Sequence, residues 1–310
     1  MNAVVHLPEG AKQQTQPPLS TWKAFLSLSF AQRKRGVRLV ESAHEGPLYV
    51  QKAFYPEGDH CAHCYLLHPP GGLVTGDHLS ISITSQQNSH ALITTPGAGR
   101  VYKAREQGGI QTQSIHLNVE QDACLEWLPL ETILFPNSQA RLNTRIDLAD
   151  KAKVITWDIT CFGLPANKLQ FTEGSIKQSL QIWSKERIKL NERLVIDLPP
   201  DASEKNLTIL NGNAGLRAMP VHGLLVAGPF HSNQVQSDEF TALIDALRFL
   251  TPQVRLEKAL VAVTLNGEFL TVRYLGHCTE AARLYFIEAW KLIRPALLNK
   301  EAVAPRIWAT

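Results

Sequence analysis

The sequence is short of several things, and each shortage removes a class of protein. No Gly-x-x-x-x-Gly-Lys-Ser/Thr loop occurs, and Gly212-Asn213-Ala214-Gly215 is too short for a dinucleotide fingerprint, so the chain brings no phosphate cradle of its own. Gly-x-Ser-x-Gly and His-Glu-x-x-His are also missing, which leaves no ready-made hydrolase signature. No run reaches the roughly 18 apolar residues of a membrane helix, and Met1 to Leu19 lacks a basic start followed by an apolar core. Neither export nor membrane anchoring is expected. Lysine and arginine number 31 against 28 aspartates and glutamates, with no basic block interleaved with aromatics, so nucleic acid is not an expected partner. The five cysteines are an odd number in a chain long enough to fold without staples, and Cys124, Cys161 and Cys278 sit alone in apolar stretches. A reducing, cytoplasmic environment is expected.

What is present is the ordinary balance of a globular protein: 44% of the 310 residues are hydrophobic, enough for a large core. Residues 1–19 include the polar, proline-bearing Lys12 to Pro18 and read as a flexible tail, leaving 20–310 as a single β-rich domain. Trp22, Ala24, Leu26, Leu28 and Phe30 recur at the two-residue period of a half-buried strand, Phe25 being the one break. The period returns in Ser80 to Thr84, in Ile115, Leu117 and Val119, and in Ile155, Trp157 and Ile159 set against Thr156, Asp158 and Thr160. Gly71-Gly72, Pro96-Gly97, Gly108-Gly109 and Pro136-Asn137 interrupt these strands too often to admit crossover helices, which predicts antiparallel pairing. In the last third the period changes. Phe240, Leu243, Ile244 and Leu247 predict a helix capped by Ser237 and stopped by Pro252. A hairpin at Asn266-Gly267 and a second helix follow, the helix capped by Thr279, striped by Phe286, Ala289, Trp290 and Ile293, and ending near Pro295. That stripe reads as core more readily than as an interface, and Ile307-Trp308 is expected to be docked.

Three groups could carry chemistry. His60, Cys61, His63 and Cys64 offer donors suited to zinc or nickel, but the second cysteine pair of a zinc ribbon is absent and a strand would send alternate side chains to opposite faces. His68-Pro69-Pro70-Gly71-Gly72-Leu73-Val74-Thr75-Gly76-Asp77 is a stiff loop that either presents His68 and Asp77 or is a turn in which Asp77 binds its own backbone. Glu126, Glu131 and Asp158 are carboxylates in apolar surroundings, where charge demands a partner, and they could line a wet internal path. For Asp158 the competing reading is an ordinary solvent-facing strand face shared with Thr156 and Thr160.

His68-Pro-Pro-Gly-Gly-Leu-Val74, Leu92-Ile-Thr-Thr-Pro-Gly-Ala98 and Leu125-Glu-Trp-Leu-Pro-Leu-Glu-Thr132, with blocks from Trp22 to Thr310, resemble the urease accessory protein UreD, called UreH in some species. Thr75 stands where that family usually has glycine, and Leu164 where arginine is common. The resemblance implies a β-helix-like winding of short strands with a few helices. It also implies a non-catalytic scaffold that acts with UreF and the GTPase UreG on the urease apoprotein and assists nickel delivery to its active site. GTP chemistry would then belong to UreG. A relay needs ligands that release the ion, which favours carboxylates over thiolates. His68, Asp77, Glu126 and Glu131 are accordingly the candidate nickel route, Gly71, Gly72 and Gly76 the structural loop, and transient nickel replaces any tightly bound cofactor. Two other readings are a metal-dependent hydrolase using His68 and Asp77 with a metal at His60 to Cys64, and a zinc-stabilised binding module.

Overall fold

The computed structural model describes residues 22–200, 202–203, 206–250 and 259–309, so the predicted tail and Pro252 lie outside the described residues. In chain order the strands are β1 (Lys23–Arg33), β2 (Gly36–Glu45), β3 (Tyr49–Phe54), β4 (Ala62–Leu67), β5 (His78–Ser85), β6 (His90–Thr94), β7 (Gly99–Val101), β8 (Gln111–Val119) and β9 (Cys124–Trp127). They continue with β10 (Thr132–Leu134), β11 (Gln139–Leu148), β12 (Lys153–Leu164), β13 (Leu169–Gln170), β14 (Gly174–Ser184), β15 (Arg187–Leu198), β16 (Val221–Gly228), β17 (Leu260–Asn266) and β18 (Phe269–Gly276). Four helices, α1 (Thr208–Asn211), α2 (Ser232–Val235), α3 (Asp238–Arg248) and α4 (Thr279–Leu298), fall in the last third among the described residues, as the change of period predicts.

The strands form two mixed sheets. One has the order β15-β14-β11-β8-β5-β1-β2; the other runs β17-β18-β16-β12-β9-β6-β4-β3, with β7, β10 and β13 attached to one side. Pairing is antiparallel at the ends of each sheet, but β1, β5, β8, β11 and β14 are parallel neighbours, and so are β4, β6, β9 and β12. The expectation of a wholly antiparallel protein is therefore corrected. A parallel pair needs a crossover, and here the crossover is a strand of the opposite sheet: from β4 to β14 the chain passes alternately between the two, so short turns suffice where helices would otherwise be required.

The strand period decides what fills the interior. In β11, Ala140, Leu142, Thr144, Ile146 and Leu148 point inward while Gln139, Arg141, Asn143 and Arg145 face solvent. Phe25, the break in the β1 pattern, lies on the solvent face at 40% exposure, so the alternation holds through it. Leu26, Ile81, Leu117, Ile146 and Ile182 meet Leu125, Val154 and Val226 between the sheets. A second cluster lies on the far side of the second sheet, where Trp157, Ile159, Leu225 and Val272 are covered by Phe286, Ala289, Trp290 and Ile293 of α4. The α4 stripe is thus core. Strand β12, sandwiched between both clusters, has two buried faces, and the expected solvent exposure of Thr156 and Thr160 is wrong: both are fully buried. Their face looks at the other sheet.

Helix α3 begins as expected, the Ser237 hydroxyl accepting the Phe240 N–H (3.1 Å) with Asp238 and Glu239 in its first turn. Gly267, at φ +60°, makes the β17–β18 turn. Helix α4 departs in two ways. Cys278, not Thr279, precedes it, and no side chain caps it; Thr279 is its first residue and turns its hydroxyl toward Glu131. Pro295 removes one N–H only a turn before the end, so the helix continues to Leu298 and closes on Asn299 in the left-handed conformation. Trp308 is docked: its indole N–H donates to Thr94 Oγ1 (2.9 Å), and its ring lies 5.5 Å from Trp157 and 5.6 Å from Trp290.

Candidate functional site

The proline-glycine loop is built by its own backbone. The Gly71 N–H donates to the His68 carbonyl (2.8 Å), and the Asp77 N–H to that of Val74 (3.0 Å). Asp77 Oδ2 accepts the Val74 N–H (2.8 Å) and Oδ1 that of Trp22 (3.3 Å), so its carboxylate ties the loop to β1. Gly72 packs against β7: a Cβ there would sit 2.7 Å from the Arg100 carbonyl. No hydrogen bond joins His68 to Asp77, which removes the pair a hydrolase would need. Burial holds the half-buried His68 imidazole below its usual pKa, against the pull of the nearby Asp77 charge.

His68, Gly71 and Gly72, with the Thr95–Arg100 turn, line a cavity of about 340 Å3 together with Trp127, Thr144, Thr156 and Asp158. The Thr156 hydroxyl lines it and makes no hydrogen bond within the protein. Asp158 accepts from Gln178 Nε2 (2.6 Å) and Thr160 Oγ1 (3.1 Å). Burial raises its pKa, and these two bonds oppose the rise. A smaller cavity of about 80 Å3 is bordered by Asp158, Gln178, Glu192 and His222. Burial, aided by the Arg273 charge, lowers the His222 pKa to about 4. Asp158 is the one carboxylate shared by both spaces.

Of the four candidate route residues only His68 lines the larger cavity. Glu126 instead sits in a closed ion network behind the second sheet. It accepts from His90 Nε2 (2.7 Å), Trp290 Nε1 (2.6 Å) and Arg294 Nε (3.0 Å). The same guanidinium donates twice to Glu57 (2.7 and 2.8 Å) and once to the Glu301 carbonyl; Glu57 also accepts from His63 Nε2 (2.6 Å), and Lys300 Nζ lies 3.1 Å from His90 Nδ1. Burial would raise the pKa of both carboxylates, but their hydrogen bonds and charged partners outweigh it: Glu57 falls to about 2, and Glu126 is likewise lowered. Glu131 lies at the start of α4, 3.8 Å from the Arg283 guanidinium and 3.5 Å from the Thr279 hydroxyl.

The His60 to Cys64 cluster is split by the strand period. His60 is exposed, Cys64 points into the space between the sheets, and Cys61 and His63 face the opposite way toward Arg294. Two buried donor triads do converge there, Glu57 with Cys61 and His63, and Cys61 with His90 and Glu126, the ligand atoms of each within 4.8 Å. They do not suit a resident metal. Arg294 already supplies the positive charge, its Nη2 lies 3.9 Å from Cys61 Sγ, and burial keeps that thiol protonated far above its usual range. Glu57, His90, Arg294 and Lys300 form no motif in the sequence; the available signal is one arginine four residues after Trp290, beside an apolar stripe.

A family model described as "UreD urease accessory protein" matches residues 23–309 of this chain. The chain belongs to the UreD family. A urease accessory protein UreD of Marinomonas sp. (strain MWYL1) is 49% identical over 312 residues, covering 97% of each chain. Those of Methylobacillus flagellatus and Psychromonas ingrahamii are 38% and 39% identical, over 93% and 96% of this chain and 95% and 96% of theirs. UreD proteins are accessory factors of urease maturation and not catalysts. The buried Thr75 hydroxyl accepts the Arg105 N–H (2.8 Å) and binds the loop to the strand connection beyond it.

Proposed function

We propose that this chain is a cytoplasmic scaffold that binds the urease apoprotein together with UreF and UreG, and that nickel, as cargo, passes through the space between its sheets. The observation that carries this reading is Asp158, a half-buried carboxylate that lines two cavities, one of them also lined by His68. The path suits a moving ion. A neutral imidazole at His68, hydroxyls at Thr144 and Thr156 and a single carboxylate offer exchangeable nitrogen and oxygen donors, while the thiols of Cys61 and Cys64 lie off it. Asp77 and Glu126 support the path rather than touch the ion: Asp77 fixes the loop that holds His68, and Glu126 anchors the strand that presents Trp127. GTP hydrolysis is left to UreG.

Asp158→Asn tests the route. The amide keeps the side chain's shape and removes its charge, so urease activation in cells expressing the operon should fall roughly tenfold or more, equivalent to about 1.4 kcal/mol, while the thermal midpoint of the purified chain stays in place. Undiminished activation would refute the route.

A further inference from the structure

Parallel strands in register place equivalent residues side by side, about 4.8 Å apart, in rows across a sheet. On the solvent face of the seven-stranded sheet one such row reads Lys23, His78, Thr112, Arg141, Lys177 on successive strands. Arg141 and Lys177 are direct neighbours, and Arg193 of β15, opposite Ser179, adds a third cation two residues along the same face of β14. Like charges in adjacent register weaken a sheet. All three side chains are exposed, and among the described residues none has an ion-pair partner. Asp147, the carboxylate nearest the centre of this face, is already taken by Arg145 (2.8 Å) and His116 (2.6 Å). Asp197, opposite Ser175, stands as near to Lys177 along β15 as Arg193 does, and Glu41 and Glu45 lie on edge strand β2.

From this arrangement we infer that the outer face of the seven-stranded sheet docks an acidic protein surface, whose carboxylates complete the charges of Arg141, Lys177 and Arg193. The surface beside them, further along the strands, fits such a partner. A shallow depression of about 450 Å3 is lined by Ser80, Ser82, Ser114, Asn143 and Ser179, short side chains that donate and accept hydrogen bonds with little entropy to lose. Seven strands of about ten residues present roughly 900 Å2, close to the roughly 800 Å2 that each partner contributes to a standard interface. RNA is the poorer match: Trp183 is covered by the Arg145 guanidinium at 4.6 Å, and the exposed Phe25 lies on β1, three strands from Arg141.

The inference rests on the maturation role proposed above, and its test separates the two. Purified urease apoprotein, UreF and UreG are each titrated against the full chain and against Arg141→Glu/Lys177→Glu/Arg193→Glu at low and high salt, with poly(U) as a second probe. One of the three proteins should bind the unaltered chain with an affinity that falls as salt rises, and the triple reversal should weaken that binding about 30-fold or more, equivalent to about 2 kcal/mol. Arg141→Glu alone, placed beside Lys177, should unfold at no lower urea concentration than the parent, which shows that lost binding is not lost folding. If a maturation protein binds parent and reversal alike, the docking face is wrong and the maturation role stands. If none of the three binds the parent, both fail; if poly(U) binds more tightly than any of them and is lost on reversal, the face serves RNA.

Discussion

Replacing Arg294 by methionine keeps the length and apolar stem of the side chain but removes every donor it gives to Glu57, Glu126 and the Glu301 carbonyl. Two carboxylates then remain in the interior without their cation: Glu126 is fully buried, and the Glu57 side chain is 9% exposed. Removing one partner of a buried ion pair costs about 3–5 kcal/mol. The Glu57 carboxyl falls from 4.5 to about 2 because its bonds to His63 and to Arg294 together outweigh its burial, so the arginine supplies part of that stabilisation. Against a total stability of about 5–15 kcal/mol the loss is severe. The pH response also changes. In the parent chain both carboxyls are depressed, so their contribution is complete above about pH 4.5 and fades as the pH falls toward 2. In the variant the pull of the guanidinium is gone and both carboxyls should move up, so the deficit relative to the parent should shrink as the pH drops from 7 toward 5. Urea unfolding followed by tryptophan fluorescence at pH 7.5 and 5.5 measures both effects. Glu57→Gln/Glu126→Gln/Arg294→Met, which buries neither the two carboxylates nor the guanidinium, should recover most of the loss. A cost under about 1 kcal/mol, or a triple variant as weak as the single one, would refute the view of this network as a mutually neutralising unit.

Ser237→Ala removes the hydroxyl that caps α3 and should lower stability by about 1 kcal/mol, seen as a lower urea midpoint at unchanged slope, whereas Ser237→Asp should be near neutral. His222 is held neutral to about pH 4, so the unfolded chain takes up its proton first, and the parent should lose stability as the pH falls from 6.5 toward 4, by no more than about 3 kcal/mol. His222→Gln should flatten that part of the profile in thermal scans; an unchanged slope would show that His222 does not set it.

The elements that could be read from the sequence are those whose signal is local. The alternation in β8, the Ser237 cap, the Asn266-Gly267 turn and the α4 stripe each depend on residues within a turn or two of one another. The split of Cys61 from Cys64 was legible for the same reason, because a strand period places them on opposite faces. What was not legible is non-local. A two-residue period looks the same in parallel and antiparallel strands, so the pairing of β5, β8, β11 and β14 is not written in any one of them. Thr156, Asp158 and Thr160 look like a solvent face until the sheet opposite them is in place. The family motifs led to the loop and to the Glu126 segment, but the partners of Glu126 lie on β6 and α4, and no spacing rule joins them.

Glu57 and Arg294 are 237 positions apart. At synthesis rates of about 5–20 residues per second, between roughly ten seconds and most of a minute separates the first of these residues from the second on the ribosome. Glu126 follows Glu57 by 69 residues, and from then until residue 294 is added both carboxylates exist without their guanidinium, so the second sheet cannot close over them as a neutralised set. A late step in assembling this protein is therefore the arrival of α4, and until then the nascent chain displays the apolar underside of that sheet to whatever chaperone attends it.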